Sequence, residues 1–249
     1  MAPTVATFDP VTQAVELAAG QIKDAQFDQA ISTLQGALGQ KPDSRSAPEA
    51  YLMIANVYER QRRVESAISA FTDVKTRYPR HPVTAEALVH LAGLVQQTKD
   101  SNRERTAIDY LNQVLTNFGD TSYGAQALAL RAGVEERQNI KVADATLGRS
   151  VPSALVSYRE LVERYPSAGV SELGLWKLAS LYEDIKRYDL AADALSQLGT
   201  RFPATRYDAW WEAAELYDKK VKDKTKAAEA YAKVPSSSRH YKDAQKKAQ

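Results

Sequence analysis

The 249-residue chain contains no cysteine. Disulfides, thiol catalysis and thiolate metal sites are therefore excluded. The compartment stays open, because a cysteine-free chain suits the cytoplasm and also an envelope protein built without disulfides. Only three histidines occur, His81, His90 and His240, far apart in sequence. No Gly-rich phosphate loop, HExxH or GxSxG motif is present. Adjacent carboxylates such as Glu135 and Glu136, or Glu183 and Asp184, diverge in direction on a helix and are expected on solvated faces, not in acid–base pairs. No cofactor, metal site or enzyme activity is expected. No apolar run approaches the ~20 residues that span a bilayer. The start, MAPTVATFDPV, has neither a basic segment nor an apolar core, so no signal peptide is read there. It is compatible with a native start and with removal of a signal or anchor. Strong net charge is missing too: +2 gives no argument for nucleic acid.

The charge is uneven, however. From Lys219 to Gln249 there are ten Lys/Arg against three Asp/Glu, which leaves the rest of the chain net acidic. A basic end of this kind reads as a solvated terminal helix, or as a contact with an acidic partner or membrane surface. Beta-branched runs are scarce while Ala, Leu, Glu, Lys, Arg and Gln are abundant, and these residues lose little side-chain freedom in a helix.

The chain also repeats itself. An alanine stands four residues before a bulky residue and twelve before a proline at Ala30, Leu34 and Pro42. The same set recurs at Ala67, Phe71 and Pro79, at Ala154, Tyr158 and Pro166, and at Ala191, Leu195 and Pro203. Ala107 and Leu111 end on Gly119 instead, and Ala227 and Tyr231 on an early Pro235. The six alanines lie 37, 40, 47, 37 and 36 residues apart, the range of stacked helical hairpins. Before each alanine runs a second pattern: Tyr51, Ile54, Ala55 and Tyr58; Leu175, Leu178, Ala179 and Tyr182; Trp210, Ala213, Ala214 and Tyr217. That i, i+3, i+4, i+7 spacing paints one helix face. A small alanine after the turn lets two helices approach closely, and the bulky residue one turn later fills the gap. Proline then ends the second helix, since it cannot continue a helix interior and disfavours α geometry in the residue before it.

On these residues the chain resembles the tetratricopeptide repeat (TPR) family, from about Val11 to about Pro235. Phrases such as RYPRHPVTAEAL, RYPSAGVSELGL and RFPATRYDAWW also resemble, more loosely, TPR proteins of the bacterial envelope. These include the lipoprotein of the outer-membrane β-barrel assembly machine and the periplasmic coordinator of the Tol–Pal system. Departures exist: Gln21 replaces a usual Tyr, Arg131 and Glu135 occupy normally apolar positions, and the third and fourth units carry extra residues between their helices. The resemblance implies an all-α, right-handed solenoid of about six hairpins with a C-terminal capping helix.

Helices are expected at about 10–23 with 27–40, 47–61 with 64–78, 83–98 with 103–118, 122–138 with 151–165, 169–185 with 188–202 and 205–221 with 223–234. Domains read as an N-terminal extension (1–9), the solenoid (10–236, with an insertion at 139–150) and a basic C-terminal helix (237–249). The insertion reads as a surface loop or a partner-contact loop.

By resemblance, the inner, concave face is lined by residues one after the large, small and Tyr positions: Leu52, Asn56 and Glu59; Val89, Gly93 and Gln96; Ala129, Gly133 and Glu136; Trp176, Ser180 and Glu183; Trp211, Glu215 and Asp218. Trp176 and Trp211 occupy one position in successive repeats, as binding anchors or as packing residues, whereas Trp210 is assigned to packing between helices. Aromatic anchors in acidic surroundings favour a protein or peptide carrying Lys or Arg. The expected function is an interaction scaffold in a bacterial envelope complex, periplasmic or at the outer membrane. A cytoplasmic TPR adaptor, or the regulatory module of a longer enzyme or secretion component, are the alternatives. Oligomeric state is not legible.

Overall fold

The computed structural model describes residues 9–249, so all of the expected N-terminal extension except Asp9 lies outside the described residues. Thirteen α-helices and one two-stranded hairpin follow one another among these residues. The fold is an all-α helical-repeat solenoid. Its contacts divide into two compact units, one ending at Tyr123 and one beginning at Gly124.

The first unit holds three hairpins: α1 (Pro10–Lys23) with α2 (Phe27–Gln40), α3 (Ala47–Arg60) with α4 (Val64–Arg77), and α5 (Val83–Val95) with α6 (Arg103–Phe118). The second unit holds α7 (Ser122–Gln138), apart from its first two residues, with α8 (Ser153–Arg164), α9 (Val170–Asp184) with α10 (Tyr188–Arg201), α11 (Ala209–Leu216) with α12 (Lys224–Ala232), and a last helix α13 (Tyr241–Lys247).

The marker residues do what their sizes suggest. Ala30, Ala67, Ala107, Ala154, Ala191 and Ala227 are all buried, as are Leu34, Phe71, Leu111, Tyr158, Leu195 and Tyr231 one turn later. In the first unit Ala30 and Leu34 join one apolar cluster with Ile54, and Ala67 and Phe71 another with Leu91.

Four of the six hairpins share one device in the turn between their helices. Ala25, Arg62, Lys186 and Lys222 adopt positive φ of 57, 57, 61 and 67°, and each stands five residues before its marker alanine. A left-handed residue after a helix lets the next amide reach back and satisfy a free carbonyl. The Gln26, Arg63 and Arg187 amides donate to the Gln21, Tyr58 and Tyr182 carbonyls at 2.8, 3.0 and 2.8 Å. The last hairpin differs by one residue: α11 ends in a π-helical turn, Tyr217–Val221, and the Asp223 amide donates to Tyr217 at 3.0 Å. At the other ends Tyr78, Tyr165 and Phe202, each preceding a proline, sit at φ between −127 and −128° and stop α4, α8 and α10.

The insertion differs from expectation. It is an antiparallel hairpin, β1 (Lys141–Asp144) and β2 (Arg149–Pro152), with Lys141 opposite Pro152 and Asp144 opposite Arg149. Gly148 turns it at φ 60°. The buried Asp144 carboxylate pins it, accepting from Arg159 of α8 at 2.5 Å and from the Leu147 amide at 2.9 Å. Burial pushes that carboxyl up, but the Arg159 guanidinium and the amides outweigh it and hold it below the usual range. The polar residues of α7 are likewise tied down. Arg131 donates to Ser157 and to Glu160, and Ser157 donates to Glu135 at 2.6 Å. Glu135 is thus a part-buried network member and not a solvated one; burial, only partly offset by Ser157 and Arg131, raises its pKa.

Candidate partner-binding surface

Successive first helices of the hairpins present the residues expected to meet a partner. In the first unit most of them are already engaged. Leu52 and Val89, expected on the inner face, are buried, at 9% and 6% exposure. Leu52 packs with Phe71 and Leu91 and keeps one edge in a cleft of about 400 Å3 beside Ile22, Met53 and Asn56. Asn56 donates to Glu86 at 3.1 Å, and the Tyr123 hydroxyl donates to the other oxygen of that carboxylate at 2.6 Å. Burial and the Glu86 carboxylate push the Tyr123 pKa up to about 12, so the phenol stays a donor. Glu59 lies 2.6 Å from His90 Nδ1, and the His90 ring stacks on Phe71 with centroids 5.0 Å apart. Gln96 donates to its own helix at the Ala92 carbonyl.

In the second unit Ser180 and Glu183 are the exposed members of this face. Glu136 accepts from Tyr158 at 3.3 Å and from Lys177 at 3.2 Å, so it is paired, not simply solvated. Trp176 stacks on Tyr207, centroids 4.4 Å apart and planes 10° from parallel. Glu183, two turns further along α9, is exposed and faces Glu212 and Asp184. Partial desolvation and those two carboxylates raise its pKa, with Lys220 only partly compensating. The region around Trp176 therefore combines a flat aromatic pair with acidic charge that the chain does not fully neutralise.

One repeat later the equivalent surface is covered. The His240 ring stacks on Trp211 at 4.3 Å with planes 6° apart. Lys247 of α13 lies 5.0 Å from the centres of both the Trp211 and Tyr231 rings and donates to Glu215 at 2.6 Å. Glu215 is also paired with Lys219 and accepts from the Tyr231 hydroxyl. Burial pushes this carboxyl up, but the bonds from Lys219, Lys247 and Tyr231 win and pull its pKa down to about 2. Asp218 is paired with Lys224. Trp210, by contrast, packs flat against Gly199 of α10, as its role between helices requires. Tyr207, His240 and Lys247 were not legible as site residues. Their positions fall in a loop and a terminal segment that carry no repeat register.

Comparison with known proteins follows the same geometry. A family model, YfiO, described as an outer membrane lipoprotein, matches residues 9–198, about three quarters of the chain. The chain belongs to this family. The match ends within α10, so Trp211, Glu215, His240 and Lys247 lie beyond the matched residues. No curated protein matches the sequence. Among solved structures, PilF of Pseudomonas aeruginosa is similar at 14% identity over 95% of this chain and 97% of that one, with a TM-score of 0.57. PilW, described as a widely conserved type IV pilus biogenesis factor, is similar at 15% identity over 94% and 98%, TM-score 0.51. YrrB, described as a TPR protein with an unusual peptide-binding site, is similar at 14% identity over 78% and 88%, TM-score 0.51. At such identities the likeness establishes the fold. No helix among the described residues is long and apolar enough to cross a membrane. No group of His, Asp or Glu among them is arranged to hold a metal ion.

Proposed function

We propose that this YfiO-family chain is a non-catalytic scaffold of the bacterial cell envelope, periplasmic or at the outer membrane. In this reading the inner side of α9 and α11 holds a protein segment rich in Lys or Arg. The observation that carries the chemistry lies in the molecule itself. A basic segment, His240 to Lys247, already rests on Trp211 and Glu215 through ring stacking, cation–π contact and an ion pair. Trp176 holds the same repeat position one hairpin earlier, with Tyr207 stacked beside it and Glu183 and Glu212 nearby. That surface offers a partner the chemistry that the chain's own C-terminal segment uses. The envelope setting is supported by the family's description as an outer membrane lipoprotein and by the pilus-biogenesis role given for PilW. A peptide or protein ligand is supported by the peptide-binding site described for YrrB.

The test is a fluorescence titration of the whole chain with a synthetic peptide of its own residues 238–249. Trp176→Ala with Glu183→Gln should weaken binding by about 1–2 kcal/mol with helix content unchanged. If that variant binds as tightly as the wild type, the Trp176 surface is not the site. Fractionation of the native bacterium checks the setting: recovery only in cytosol would count against it.

A further inference from the structure

A cleft of the first unit lies on the other side of the hairpins, between their second helices α2 and α4. Its volume is about 720 Å3. The floor is α3, through Tyr51, Ile54 and Tyr58; one wall is α2, through Leu38 and Gly39, and the other is α4. The α4 wall is small and acidic: Glu65, Ser66, Ser69 and Asp73. Small residues keep the cleft open, and a Cβ added at Gly39 would meet nothing within 4 Å. Glu65 and Asp73 are exposed and make no ion pair among the described residues.

The repeat supplies its own comparison. The second unit has the equivalent cleft, between α10 and α12, with a volume of about 460 Å3. Its floor is Trp210 and Tyr217, the positions of Tyr51 and Tyr58. Counted from the marker alanines Ala67 and Ala227, Ser66 corresponds to Lys226 and Asp73 to Lys233. In the second unit those two lysines cover the floor: Lys233 lies 4.6 Å from the centre of the Trp210 ring and Lys226 5.3 Å from that of Tyr217. Lys226 is also 3.7 Å from Asp193 on the opposite wall. In the first unit both cations are missing, replaced by a serine and a carboxylate. Arg77 and Arg63, from the two ends of α4, each lie over one ring, 5.0 Å from the centre of Tyr51 and 4.7 Å from that of Tyr58, but neither lines the cleft, so it is the α4 wall between them, with Glu65 and Asp73, that lacks cations.

We infer that the α2–α4 cleft is a second docking surface, separate from the inner side, and that its occupant is a basic amphipathic helix of another protein. The occupant's cations, two turns apart, take the places that Lys226 and Lys233 fill in the second unit. Its apolar side chains reach between Tyr51 and Tyr58 onto Ile54. Aromatic rings with nearby carboxylates favour such cations, and a groove between helices accepts an amphipathic helix through side chains one and two turns apart.

The probe is a capped, fluorescent helical peptide with two lysines at the spacing of Lys226 and Lys233 and leucines between them. The control has the same composition with its lysines adjacent. The whole chain should bind the probe at least about tenfold more tightly than the control, with amide shifts in the NMR spectrum confined to α2, α3 and α4. S66K/D73K, which gives the first unit the cations of the second, should lower affinity about tenfold. E65Q/D73N, which leaves shape unchanged, should lower it several-fold. Trp176→Ala should leave probe binding unchanged, because Trp176 does not line the cleft. Circular dichroism confirms that each variant is folded. Equal binding of probe and control, undiminished binding to S66K/D73K, or loss of binding in Trp176→Ala would each overturn the inference.

Discussion

Gly199 sits near the end of α10, where an alanine would ordinarily help. Replacing a helix-interior glycine by alanine stabilises a helix by up to about 1 kcal/mol. Here the added Cβ would lie 2.4 Å from Trp210 Nε1 and 2.7 Å from two further ring atoms. The indole is a rigid plate, not the end of a flexible chain, and Lys233 lies 4.6 Å from its centre. Retreat of the ring therefore costs contacts or opens the α10–α11 interface. Overpacking of this kind costs about 1–3 kcal/mol, which exceeds the gain in helix propensity. Gly199→Ala should thus destabilise the protein by about 1–2 kcal/mol. Gly36 is the internal control, because a Cβ there meets nothing within 4 Å; Gly36→Ala should stabilise by about 0.5–1 kcal/mol. Urea unfolding followed by circular dichroism and Trp fluorescence reads both. Trp210→Phe, which removes the clashing five-membered ring, should erase most of the Gly199→Ala penalty. If Gly199→Ala is stabilised as much as Gly36→Ala, the close packing of these two helices is misjudged.

Three further outcomes follow from the geometry. Lys186 adopts φ 61°, a conformation glycine takes without strain; Lys186→Gly should raise stability by up to about 1 kcal/mol in urea unfolding. Asp144→Ala should strand the guanidinium of Arg159 and cost about 2 kcal/mol, seen as faster hydrogen exchange at Lys141–Asp144 with helix content intact. Glu215 is 16% exposed, and its pKa falls from 4.5 in the unfolded chain to about 2 in the folded one. A lowered folded pKa stabilises above 4.5, and that stability is lost as pH falls toward 2. Discounted for solvent screening of its exposed lysine partners, the effect is worth about 1–2 kcal/mol at neutral pH. Lys247→Ala should remove about 1 kcal/mol of it, with the difference from wild type shrinking below pH 4.5.

Most of the fold was legible because it depends on side-chain size in a short period. Ala67 and Phe71, or Ala191 and Leu195, announce a close helix pair wherever they stand in the chain. The second-helix ends were legible because Pro79, Pro166 and Pro203 act locally. The 141–152 hairpin was not, since each strand has four residues and its position is fixed by the pairing of Asp144 with Arg159 across 15 residues of sequence. The repeat pattern puts the start of the sixth first helix at about 205, whereas α11 begins at Ala209. Thr205 bonds to Glu172 and Tyr207 stacks on Trp176, which hold that stretch as a loop. The candidate surface was legible in kind more than in membership. Repeat register points to a helix face but does not say which positions neighbours cover. Leu52 and Val89 were covered by the hairpin core, and Trp211 by a terminal segment with no register. The outer cleft escaped notice because its meaning lies in the difference between two repeats.

The central claim is that the Trp176 surface, with its stacked Tyr207 and only partly compensated carboxylates, is where a partner is held. A photo-crosslinking residue placed at Ser180, exposed on α9 between Trp176 and Glu183, tests it most directly in the native bacterium. The account predicts one dominant adduct with an envelope protein, mapped by mass spectrometry to a Lys- or Arg-rich segment and lost when Trp176→Ala is added. No adduct, or one that persists unchanged in Trp176→Ala, would contradict it.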